Sequence, residues 1–162
     1  MATTTVTGAM SYAERLAETE SLQLAAFSLT DAVRLGQAVT ELALVDELPI
    51  TIEVRHGTRV AYRAALAGST ADNDAWLARK AAVVMRYELP TLAVRVRYEE
   101  RGLDFNEATG LPLSEFAAHG GGIPIVVAGV GMVGFLGVSG LPQVEDHDLG
   151  VRCIRAVLLD AR

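Results

Sequence analysis

Residues 119–140 read HGGGIPIVVAGVGMVGFLGVSG, and this stretch decides the fold. Two apolar runs, 123–127 and 132–139, flank a turn built around Gly129 and Gly131. Glycine suits such turns because it adopts a positive φ without steric cost. The stretch therefore predicts two antiparallel strands. A membrane helix is disfavoured, because it needs about 20 continuous apolar residues without this many glycines and a proline.

The glycines at 129, 131 and 134 also match the letters of a dinucleotide-binding loop, G-x-G-x-x-G. Such a loop leads from a strand into a helix, whose N-terminus binds the pyrophosphate. Here the glycines lead into the apolar segment 135–138 instead. The pattern therefore favours a hairpin turn over a nucleotide site.

Periodicity of the apolar residues predicts the other elements, which run in chain order as helix 12–20, strand 22–29, helix 30–47, strands 50–55 and 59–66, helix 72–87, helix 91–100 and helix 142–159. Segment 91–100 also fits a strand, because Val94, Val96 and Tyr98 alternate; a helix is the favoured interpretation. Residues 103–118 are predicted as a loop with one helical turn after Ser114. Strands paired in hairpins predict an α+β fold with an antiparallel sheet.

The chain has 162 residues, of which 51% are hydrophobic, and its formal net charge is -6. This length suits one domain, predicted over 11–162 behind a disordered tail at 1–10. The negative charge disfavours nucleic acid as a partner. The single cysteine, Cys153, cannot form an intramolecular disulfide, and the tail lacks the pattern of a secretory signal. A cytoplasmic location follows as an expectation, and the high apolar content predicts a homo-oligomer.

His119 and the glycines after it form one candidate site. Three successive glycines, Gly120, Gly121 and Gly122, let backbone N–H groups approach an anion closely. The imidazole of His119 beside them could act as an axial metal ligand, a general base or a hydrogen-bond donor. The alternative is a histidine that only caps a turn next to a flexible loop, and the residues leave both open.

A second candidate lies on the helix predicted to start at Asp72. Asn73, Trp76 and Lys80 are spaced to share one helical face. Tryptophan offers a stacking surface, and lysine can pair with a ligand carboxylate. The favoured alternative is an ordinary amphipathic helix, with Trp76 in the core and Lys80 running along the surface to solvent.

Three other features are interpreted as structural. Glu145, Asp146 and His147 are adjacent and should point around a helix, which disfavours a shared metal ion. Ser139 lacks the glycine at 141 that a nucleophile elbow needs. His56 lies at a predicted hairpin tip, exposed to solvent.

Three motifs together resemble one known family across about residues 20–160. They are AGSTADNDAW at 67–76 with Arg79 and Lys80, AAHGG at 117–121 with Pro124 and Ile125, and GVG at 129–131 continuing to VSGLP at 138–142 with Glu145, Asp146 and His147. This combination resembles the haem-degrading, GlcG-like family, most closely a branch of bacterial and fungal proteins without a settled activity. The resemblance implies a profilin-like fold, in which helices pack on a five-stranded antiparallel sheet, and a homo-oligomer.

The His119 loop and the Asn73 helix face together predict a pocket for a small anionic ligand, and the resemblance, because some members of the family bind haem, adds a tetrapyrrole such as haem. His119 would be the iron ligand or proton-transfer group. The residues implied in ligand binding are Asn73, Trp76, Arg79, Lys80, Gly120, Gly121, Gly122 and Pro124. The family pattern Arg-Phe-Gly-His-Ser-Ser is replaced here by RYELPT at 86–91, so one family histidine is missing. The alternative hypothesis is a non-catalytic structural or interaction module, in which the motifs specify only fold and assembly.

Overall fold

A computed structural model describes residues 6–160. Four strands form one antiparallel sheet in the order β2-β1-β4-β3: β1 (Thr51–His56), β2 (Arg59–Ala65), β3 (Gly122–Val127) and β4 (Gly131–Ser139). The described helices are α1 (Tyr12–Glu20), α2 (Leu29–Val45), α3 (Ala71–Tyr87), α4 (Thr91–Glu99), α5 (Phe105–Thr109) and α6 (Gln143–Ile154), with a π-helical turn at Arg155–Leu159. The structure confirms the predicted α+β class and both hairpins. It also confirms that segment 91–100 is a helix and not a strand.

The prediction of a fifth strand at 22–29 is wrong. Leu24 makes only a single parallel bridge with Val127 beside β3. Its N–H donates to the Val126 carbonyl (2.8 Å), and its own carbonyl accepts from the Ala128 N–H (2.9 Å). The bridge does not extend into a ladder, and the chain bends at Ala25 before α2 begins behind its cap, Ser28. The sheet therefore has four strands.

Helix α3, which carries one of the candidate motifs, starts earlier than predicted. The cap is Thr70, whose side chain accepts from the Asp72 N–H, and not Asp72 itself. The Asn73 side chain closes the capping box by accepting from the Thr70 N–H at 2.9 Å. The amide oxygen of Asn73 therefore has a structural role in starting the helix.

Helices cover both faces of the sheet. Helices α2 and α6 pack on the face that carries Ile52, Leu136 and Val138. Helix α3 packs on the opposite face, where Ala81 and Val84 meet Phe135. Because α3 crosses β3 and β4, the two motifs that the sequence places far apart meet at the start of β3.

The segment between α4 and β3 contains a short helix that the sequence pattern misses. Helix α5 begins at Asp104, whose carboxylate accepts from the Glu107 N–H at 3.0 Å. Phe105 anchors it in a small apolar cluster with Val83, Val94 and Ala118. The turn predicted after Ser114 lies slightly earlier, where Phe116 N–H bonds to the Pro112 carbonyl.

The predicted disordered tail lies partly outside the described residues, at 1–5. Within the described part, Thr7 is bound to Glu99. The Thr7 N–H and hydroxyl each donate to this carboxylate at 2.7 Å. None of the described helices is long and apolar enough to cross a membrane.

Candidate functional site

His119 lies on the wall of two cavities. The smaller, about 300 Å³, lies between α3, the end of β4 and the start of α6; Asn73, Trp76 and Lys80 line it with His119. We call it the tryptophan cavity. The larger, about 620 Å³, lies beside α4 and α5, and we call it the α5 cavity. The structure therefore brings the two sequence motifs together at His119.

Trp76 and His119 are in direct contact. Their ring centroids are 4.8 Å apart and the planes meet at 64°, an edge-to-face geometry. The Arg79 guanidinium carbon also lies over the Trp76 ring, 3.9 Å from its centroid. Trp76 and Arg79 are both half-buried, so the alternative that places Trp76 in the core does not hold.

The His119 imidazole is neutral at pH 7. Burial, followed by the positive charges of Arg95, Lys80 and Arg79, lowers its pKa from 6.5 to about 4. Its Nδ1 atom is buried and has no hydrogen-bond partner among the described residues. A neutral imidazole with an unused nitrogen can bind a metal or accept a proton.

This low pKa of His119 predicts a pH dependence of stability. Between pH 6.5 and 4 the unfolded chain binds a proton on His119 while the folded chain does not. The free energy of unfolding should therefore fall as the pH drops through this range. Urea unfolding at pH 7 and pH 5 should show a smaller fall in His119→Gln than in the native chain. An equal fall in both proteins would contradict the shifted pKa.

Lys80 is bound to protein groups beneath the tryptophan cavity. Its Nζ donates to the Val138 carbonyl (2.9 Å) and to Asp146 Oδ2 (3.2 Å), and both charged side chains are almost fully buried. Burial lowers the pKa of Lys80 and raises that of Asp146, while their mutual attraction opposes both shifts. Lys80 therefore points inward, and the alternative in which it runs to solvent is wrong.

The glycine run serves close packing. The Gly120 N–H donates to Gln143 Oε1 and the Gly122 N–H to Thr91 Oγ1, each at 3.0 Å. A Cβ at Gly120 would overlap the backbone carbonyl of Gln143. These two N–H groups are therefore not available as the predicted anion cradle. Pro124 pairs with Phe135 inside the sheet and lines neither cavity.

Sequence reasoning missed the groups that reach the site from α6. Asp146 was set aside with His147; the structure shows that these neighbours do point apart, Asp146 to Lys80 and His147 Nε2 to Glu18 at 2.6 Å. No group of three His, Cys, Asp or Glu among the described residues could hold a metal ion. The only sequence signal for Asp146 was its place in the first turn of a predicted helix, and that position does not identify Lys80 as its partner.

His56 packs against Phe27 and is not fully exposed to solvent. Its ring stacks on Phe27 with centroids 5.7 Å apart, and Nε2 lies 3.2 Å from the Phe27 carbonyl. The residue is half-buried, so the predicted exposure is wrong while the structural interpretation agrees with these contacts. His56 is a useful control for experiments on His119, because it lines neither cavity.

A family model for haem degrading proteins of the HbpS-like type matches residues 27–155. The chain belongs to the HbpS-like haem-degrading family. Among curated relatives, a UPF0303 protein of Streptomyces coelicolor is 46% identical over 128 residues, covering 79% of this chain and 81% of the relative. A UPF0303 protein of Brucella canis is 41% identical over 76% of this chain and 73% of the relative.

Solved structures show the same fold for this HbpS-like chain. The Ybr137w protein has a TM-score of 0.83 at 24% identity, covering 93% of this chain and 89% of that one. A complex of PduOC with haem has a TM-score of 0.66 at 21% identity, covering 82% and 95%. At these identities the comparison establishes the fold alone.

Proposed function

We propose that the protein binds a planar acidic ligand beside His119, with haem as the first candidate. The observation that carries this proposal is the neutral imidazole, whose buried Nδ1 is unpartnered and whose ring meets Trp76 on the wall of two cavities. Membership of the HbpS-like family and the fold shared with a haem complex support it.

The residues present fit haem in two respects. A histidine whose pKa is about 4 offers iron a nitrogen lone pair without first losing a proton. Arg79, half-buried over Trp76, supplies a cation for a propionate. A bound haem would supply redox or oxygen chemistry at its iron, while this chain would hold and orient it.

The size of the tryptophan cavity sets how such a ligand would lie. A volume of about 300 Å³ is at the lower end for ligand pockets. A tetrapyrrole would therefore extend out of it and cover the half-buried Trp76 and Arg79. Lys80, held by Asp146 and the Val138 carbonyl, would form part of the floor beneath the ligand.

Titration with haemin tests the proposal. We expect a shift of the Soret band in the native chain, and at least tenfold weaker binding in His119→Ala, because the iron loses its nitrogen ligand. His56→Ala is the matched control and should bind haemin like the native chain. A native chain that produces no Soret shift, or a shift unchanged in His119→Ala, would refute the haem proposal.

The second candidate function is a structural or interaction module. It is favoured by Lys80, Gly120 and Gly122, whose polar groups are all used in packing. If His119→Ala and Trp76→Ala change the melting temperature or oligomer mass without altering any ligand response, this alternative is correct.

Assembly into a homo-oligomer in the cytoplasm is part of the proposal. Leu44 and Val45, at the end of α2, are 60% and 83% exposed, and a subunit contact at this helix end would bury them. Light scattering should give a mass of at least two chains, and a monomer at micromolar concentration would contradict this part.

A further inference from the structure

The α5 cavity lies outside the site proposed above, apart from the shared wall at His119. It encloses about 620 Å³, roughly twice the tryptophan cavity. Leu103 and Leu113, which are 40% and 44% exposed, line it together with the buried Phe105. This apolar surface faces an open cavity of ligand size, so it suits a ligand with an apolar body.

The charges around this cavity are unbalanced. One cation, Arg95, faces three carboxylates, Glu99, Asp104 and Glu107, which gives a formal charge of -2. Arg95 Nε is 2.7 Å from Glu99 Oε1, so the charges of these two side chains neutralise each other. The carboxylates of Asp104 and Glu107 have no ion pair with a described residue. The remaining negative charge favours a cationic ligand.

The hydrogen-bonding groups point to the same chemistry. Asn106 uses its Nδ2 atom to donate to the carbonyls of Leu111 (2.9 Å) and Phe116 (2.8 Å), which leaves its Oδ1 as a free acceptor. His119 adds a neutral ring whose buried Nδ1 is unpartnered. The donors left on this wall are the terminal nitrogens of Arg95 and the one N–H of the neutral His119 ring, against the oxygens of Asp104, Asn106 and Glu107. Acceptors therefore predominate, and they suit a ligand rich in N–H donors.

We propose that the α5 cavity binds an organic amine with an aliphatic body. The ammonium group donates to the carboxylates of Asp104 and Glu107, and the aliphatic chain covers Leu103 and Leu113. This site is separate from haem binding, because its charged residues do not line the tryptophan cavity.

Calorimetry on the full chain with three probes of equal length tests the ligand class. Hexylamine is expected to bind at least tenfold more tightly than hexan-1-ol or hexanoate, because only the amine offers a positive charge and N–H donors. Hexanoate binding as tightly as hexylamine, or no measurable binding of hexylamine, would overturn the proposal.

Variants locate the site. Asp104→Asn keeps a side-chain oxygen that can cap α5, and Glu107→Gln changes an exposed residue. The double variant should bind hexylamine at least tenfold more weakly, and Glu107→Gln alone should weaken it measurably. Glu115→Gln, an exposed acid outside the cavity, is the matched control. Unchanged hexylamine affinity in Glu107→Gln and the double variant would refute this location. Haemin binding should be the same in all of these proteins, so the two proposals can fail separately.

Discussion

Gly121→Ala is expected to lower the free energy of unfolding by about 3–5 kcal/mol, because backbone strain and overlap act together. Gly121 has a φ of +123°, a conformation that L side chains rarely adopt. An added Cβ would overlap the Val138 carbonyl oxygen and lie 2.7 Å from Lys80 Nζ. The carbonyl belongs to β4 and cannot move without disturbing the sheet. Urea unfolding monitored by circular dichroism measures the loss.

Gly129→Ala is the matched control for this prediction. Gly129 also has a positive φ, +76°, but an added Cβ would meet nothing within 4 Å. Only the conformational cost remains, about 1–2 kcal/mol. Equal destabilisation by the two substitutions would show that close packing at Gly121 is not what requires glycine there.

Lys80→Met is expected to destabilise the protein by about 3–5 kcal/mol, because it leaves the buried Asp146 carboxylate without its cation. The Leu141 N–H, which donates to Asp146 Oδ1 at 2.9 Å, compensates only part of that charge. The same unfolding experiment, at pH 7, measures the loss.

The double variant Lys80→Met, Asp146→Asn separates the ion pair from simple packing. It removes both charges and keeps an oxygen for the Leu141 N–H, so it should be less destabilised than the sum of the two single variants by about 1 kcal/mol or more. Strict additivity of the single effects would contradict the coupling inferred between Lys80 and Asp146.

Local patterns in the sequence were sufficient for most of the elements. Helically spaced apolar residues mark α2 and α3, because each of these helices buries one face. Short apolar runs separated by turn residues mark the strands, and β1, β3 and the second half of β4 are buried on both faces of the sheet. The segment at 22–29 has similar composition, but it forms only one isolated bridge, at Leu24. Whether an edge segment pairs along its length depends on the strand beside it, which apolar periodicity does not report.

The candidate site was predictable to a smaller extent. The contact between Trp76 and His119 follows from placing both motifs near the start of β3. The partner of Lys80 was not predictable, because Asp146 is 66 residues away and the pair depends on how α3 and α6 cross the sheet. The α5 cavity was missed because much of its lining comes from a polar loop that has no periodic pattern.

The central claim is that His119 holds a ligand against Trp76. The most direct measurement is an anomalous difference map at the iron edge, from crystals of the full chain grown with haemin. We predict one iron peak within bonding distance of a His119 ring nitrogen, with the macrocycle covering Trp76. An iron peak bound elsewhere on the chain, or none at saturating haemin, would contradict the claim.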